Sequence, residues 1–156
     1  MRMLNFRKRR GFSLIELLIV ISIILIIVTV ALPKLNNATR FAHETAAIKA
    51  IQTINTMQVQ FNSQYGRFAT SLAELGPPAS GGPTAAAADL IGNDLAGGEK
   101  SGYKFVLTGN QGGYVINANP VNYGTSGTRT FFCDQSMVVH ENYGPEPATA
   151  NSKELK

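Results

Sequence analysis

The chain of 156 residues has a single cysteine, Cys133, which excludes an intramolecular disulfide. It follows Phe131 and Phe132 in an apolar, strand-like run, where a buried and inert thiol is expected. Histidine is nearly as scarce. With only His43 and His140, and Glu44 beside the first, no ligand cluster forms, so neither a metal nor a cofactor is expected. Asp89, Asn93, Asp94 and Glu99 do not keep the spacing of a calcium loop. No nucleophile is matched to a base and no phosphate loop opens a helix, so the chain reads as a non-enzyme. Acidic residues are missing from the first eleven positions, where Arg2, Arg7, Lys8, Arg9 and Arg10 stand. Those five cations account for the basic balance: the formal charge of +4 becomes −1 without them. The remaining lysines and arginines are scattered, Lys100, Lys104, Arg129, Lys153 and Lys156 among them, so nucleic-acid binding is not supported.

What the chain does have is one long apolar run. Over residues 12–32 every residue is apolar or carries a small hydroxyl, except Glu16. As a helix this run spans about 31 Å, the thickness of a bilayer's hydrocarbon core. The basic block before it keeps the amino end cytoplasmic and sends the rest across. A secretory signal would end the run with small residues for cleavage. Here the small residue, Gly11, comes before it. Glu16 is the second anomaly, since a carboxylate in a spanning helix costs roughly 2.5–3.5 kcal/mol at the centre and marks a functional site.

The stretch Gly11-Phe12-Ser13-Leu14-Ile15-Glu16-Leu17-Leu18-Ile19-Val20 resembles the prepilin cleavage and methylation motif of type IV pilins and type II secretion pseudopilins. The resemblance implies that a prepilin peptidase cuts between Gly11 and Phe12 and methylates the new amine of Phe12. That amine would lie four residues before Glu16, on the same helical face. Where such helices pack in an apolar filament core, an unpaired carboxylate is costly, so Glu16 should seek an amine. The resemblance makes that partner the Phe12 amine of a neighbouring subunit; the bland alternative is a carboxylate snorkelling to the headgroups. It also implies a homo-oligomeric filament and an inner-membrane assembly platform with its ATPase. The location is then the bacterial inner membrane, followed by an extracellular pilus or a periplasmic pseudopilus. Lack of a disulfide pair leans toward a pseudopilin, and lack of an acidic calcium loop leans toward a pilin. A minor pilin with a binding head is a further reading.

The remaining pattern predicts an α+β fold: a long amino-terminal helix on a small antiparallel sheet, pilin-like. Residues 1–11 are the leader and 12–33 the transmembrane, filament-core part of the helix. Pro33 removes a helical donor and should kink it. Residues 34–66 form its amphipathic half, with Phe41, Ile48, Ile51, Ile54, Met57, Phe61 and Tyr65 as an apolar stripe. Glu44, Asn55 and Gln58 are assigned to the solvated face, and Gly66 to the stop. Residues 67–102 read as a connecting loop with helical turns near 71–75 and 89–95. Residues 103–140 read as two hairpins and 141–156 as a mobile tail.

Overall fold

One helix, α1 (Leu14–Tyr65), carries two kinds of surface in the computed structural model, which describes residues 11–110 and 112–155. The basic block of the leader lies outside the described residues, as do Gln111 in the expected hairpin loop and Lys156. The chain forms two compact units that meet at Asn37 and Ala38.

In the first unit every helical residue from Leu14 to Leu32 is exposed, isoleucines and valines included. Length and composition make this helix capable of crossing a membrane. Its hydroxyls are satisfied locally: Ser22 Oγ donates to the Leu18 carbonyl and Thr29 Oγ1 to that of Ile26, both at 2.8 Å. The helical assignment runs through position 33 without a break.

The second unit is the head. Its part of α1 buries Ala47, Ala50, Ile51, Ile54 and Phe61, while Ile48, Met57 and Tyr65 are half-buried. Phe41, expected on this stripe, is exposed. Glu44, Asn55 and Gln58, expected in solvent, are buried. The reason is that the sheet and its connections supply each with hydrogen-bond partners, which removes the penalty of burying a polar group. The helix stops where expected, at Gly66, whose φ of +70° suits a glycine after a helix.

Residues 67–102 are more than a connector. They hold two single-turn helices, α2 (Leu72–Leu75) and α3 (Asn93–Ala96), and the short strand β1 (Glu99–Lys100). Ala69, Leu72, Leu75, Ala88, Ile91 and Leu95 from this segment enter the core, and only residues 79–84 form a continuously exposed loop. Strand β2 approaches it so closely that a Cβ at Gly109 would collide with the Ala69 carbonyl.

The sheet continues with β2 (Tyr103–Asn110), β3 (Gly113–Pro120), β4 (Arg129–Asp134), β5 (Val139–Tyr143) and β6 (Lys153–Glu154). All six strands pair antiparallel in chain order. Alternation sets the faces: Tyr103, Phe105 and Leu107 point to the core and Lys104, Val106 and Thr108 away from it. Register aligns Leu107, Ile116, Cys133 and Val139 across four strands. The two expected hairpins are β2–β3 and β4–β5. The boundaries differ at both ends, because the sheet runs from Glu99 to Glu154 rather than over 103–140. The residues expected as a tail close it instead. Leu155 N–H donates to the Val139 carbonyl at 2.8 Å, Ala148 is buried, and Thr130 Oγ1 donates to the Glu146 carbonyl at 2.8 Å.

Candidate functional site

Residues 11–13 precede α1 and are not helical. The helix begins at Leu14, and Leu17 N–H donates to the Ser13 carbonyl at 3.3 Å, which puts Ser13 at the cap position. Glu16, third in the helix, turns back so that Oε2 accepts the Ser13 N–H at 2.8 Å. This is one half of a capping box, and the signal S-x-x-E was present in the sequence. A carboxylate also complements the positive end of the helix dipole. Gly11 is exposed, and a Cβ built there meets nothing within 4 Å, so the fold itself does not demand glycine at this position. Phe12 is exposed beside it. The geometry thus brings Gly11, Phe12 and Glu16 to one solvent-facing helix start. Pro33 lies further along α1 and, as a proline, has no backbone N–H to donate.

The head contains a second set of polar groups that sequence reasoning missed. Arg129 of β4 donates from Nε to Glu44 Oε2 at 2.9 Å and from Nη1 to Glu141 Oε2 at 2.8 Å. Thr128 donates its N–H and its hydroxyl to Glu44 Oε1, at 2.8 and 3.0 Å. Burial works against the Glu44 charge, but Thr128 and then Arg129 outweigh it and hold the carboxyl below its ordinary value. Burial likewise opposes the Arg129 charge, and Glu141 and Glu44 more than offset it. Tyr103, which donates to the Arg129 carbonyl at 2.8 Å, titrates well above an ordinary tyrosine because it is buried and faces Glu44.

Further along α1, Asn55 bridges two strands. Its Nδ2 donates to Cys133 Sγ at 3.1 Å, and its Oδ1 accepts the Tyr114 hydroxyl at 3.1 Å. Burial pushes the Cys133 thiol up, away from the reactive thiolate, and raises Tyr114 to about 12. Gln58 takes both backbone groups of Ala69: Oε1 accepts its N–H at 2.9 Å and Nε2 donates to its carbonyl at 3.0 Å. His43 Nδ1 lies 3.1 Å from the Ser126 carbonyl. These groups fasten the helix to the sheet and the loops, each engaged by another part of the same head. Their spacing held the clue: Glu44 sits one turn before Ile48, and Asn55 one turn after Ile51, in phase with the apolar stripe.

Residues 6–32 match the prokaryotic N-terminal methylation motif, the leader signature of pilins and pseudopilins. The match covers the helix start described above and the whole apolar run of residues 12–32. Comparison with curated proteins gives no match.

Proposed function

We propose that this chain, a pilin- or pseudopilin-type protein by its leader motif, is a structural subunit of a type IV pilus-like filament. The observation that carries the reading is the coincidence of that motif with the start of a helix whose apolar residues from 14 to 32 are all exposed in the isolated chain. Such a surface needs a lipid bilayer first and other helices afterwards. The precursor sits in the bacterial inner membrane with its amino end cytoplasmic. Prepilin peptidase cleaves between Gly11 and Phe12 and methylates the Phe12 amine. The freedom of space at Gly11 supports an external reason for glycine there, namely the peptidase, which must approach the backbone closely.

Glu16 sets the assembly register. In the precursor its Oε2 is engaged by the Ser13 N–H, which leaves Oε1 for the Phe12 amine of a neighbouring subunit. An inner-membrane platform and its ATPase drive assembly, and Pro33 is the point where the helix yields as subunits pack. Mass spectrometry of sheared surface material and of membranes tests this. An N-methylated Phe12 terminus in the sheared fraction is expected. An intact Met1 terminus in both fractions would overturn the reading. The second reading is the major pseudopilin of a type II secretion system, favoured by the single, buried Cys133, which leaves the carboxy-terminal sheet without a disulfide. It predicts the same terminus, confined to membranes.

A further inference from the structure

The aromatic side chains of the head are sorted by position. Among its described residues, Phe61, Tyr103, Phe105, Tyr114 and Phe131 are buried, and Tyr65, Phe68 and Phe132 are half-buried. Only Phe41, Tyr123 and Tyr143 are exposed, at 66%, 49% and 67%. All three lie at the same end. Phe41 is three residues before Glu44, Glu44 binds Arg129, and the Arg129 guanidinium is 5.8 Å from the Tyr143 ring. Next along the helix, His43 meets the carbonyl of Ser126, whose own N–H closes on Asn122 around the turn that carries Tyr123. This is the end at which residue 38 enters the head. The far end, at the β4–β5 turn, exposes Met137 and Val138 but no aromatic ring.

We propose that this end of the head is a membrane-contact surface, with Phe41, Tyr123 and Tyr143 resting in the headgroup layer of the bilayer that holds residues 12–32. The inference rests on the reading of that run as a membrane span. Phe41 follows Leu32 by nine positions in the chain, so the end of the head that carries it is the end joined to that run. Tyrosine, with an apolar body and a polar tip, is the residue that collects at membrane interfaces. Lys34, exposed and two positions after Leu32 in the chain, adds a cation suited to lipid phosphates. A second head could also cover these rings. Their position at the end continuous with the apolar run, and their tyrosine chemistry, favour lipid.

The chain has no tryptophan, so one introduced indole reports only its own surroundings. Phe41→Trp, Tyr123→Trp and Tyr143→Trp are made singly in the full chain and reconstituted in vesicles of phosphatidylcholine and phosphatidylglycerol. Val59→Trp, at an exposed helix position nearer the far end, is the control. Flotation with the vesicles is read first. A chain that does not float has no span, and this proposal goes with it. Among chains that float, the three variants should show blue-shifted emission, and lipids brominated high on the acyl chain should quench them more than the control. Emission and quenching equal to Val59→Trp would overturn the membrane contact while leaving the span intact. Shielding that appears only at high protein-to-lipid ratio would assign the surface to a second copy, and would overturn it too.

Discussion

Replacing Arg129 with methionine removes a cation placed between two buried carboxylates at hydrogen-bond distance of both. The Arg129 side chain is 13% exposed, and those of Glu44 and Glu141 are 7% and 5% exposed. Lys153 stands 3.6 Å from Glu141, but it is 74% exposed and a weak substitute. Stranding partners of a buried ion pair costs about 3–5 kcal/mol. The guanidinium also lies 5.4 Å from the Phe131 ring and 5.8 Å from the Tyr143 ring, which adds roughly 0.5–1 kcal/mol each. Against a domain stability of about 5–15 kcal/mol, the loss is large. The assay is urea unfolding of the full chain in detergent micelles, followed by the near-ultraviolet circular dichroism of its tyrosines. The pH dependence carries the sharper test. In the wild type the folded state holds the Glu44 carboxyl below its ordinary value, so its contribution is complete above about pH 4.3 and is lost as pH falls through the lowered folded value. In Arg129→Met the Glu44 carboxylate keeps its Thr128 hydrogen bonds but loses the guanidinium, so its folded value is lowered less and acidification costs the variant less stability than it costs the wild type. Combining it with Glu44→Gln and Glu141→Gln should recover part of the loss. A cost below about 1 kcal/mol, or an unchanged loss of stability on acidification, would refute the reasoning.

Gln58→Leu leaves the N–H and carbonyl of Ala69 buried without partners, and should lower the same urea midpoint by an amount equal to about 2–4 kcal/mol. Cys133 should resist a maleimide reagent in the native chain and react fully in denaturant; rapid native labelling would contradict its burial. Glu16→Ala should leave processed subunit in the membrane. If the amine contact is a charge-assisted bond of roughly 1.5–3 kcal/mol, each subunit contact weakens about ten- to a hundredfold, and electron microscopy should find few filaments. Gly11→Ala should fold normally, given the open space around it, yet accumulate at full-length mass; normal processing would remove the close-approach argument.

The helix was legible nearly to the residue, because an apolar run, an amphipathic continuation and a terminal glycine are all local signals. Its polar face was not. Whether Glu44, Asn55 or Gln58 faces water depends on Arg129, Cys133 and Ala69, which are distant in sequence or arrive after the helix has turned back. Phe41 failed in the opposite sense: its spacing fits the stripe, but its side chain stays exposed. The two central hairpins were readable from alternation and turn residues. Strands β1 and β6 were not, since two residues of Glu and Lys carry no period, and only their neighbours make them strands. At the helix start, the motif marked Gly11, Phe12 and Glu16, while the backbone bond from Ser13 to Glu16 needed the geometry.

The order of the strands has a consequence for how the head comes into being. Each strand pairs only with the strands just before and just after it in the chain. A sheet of this kind has low contact order, and loop closure between successive partners is fast. A chain delivered across a membrane from its anchored amino end meets its partners in sequence, with β1 through β6 adding one after another onto a helix already in place. The polar contacts that reach furthest along the chain, from Thr128 and Arg129 to Glu44, come due only when β4 arrives. Growth in this order extends one edge at a time, which limits how long each new strand stands unpaired and open to misassociation with another copy.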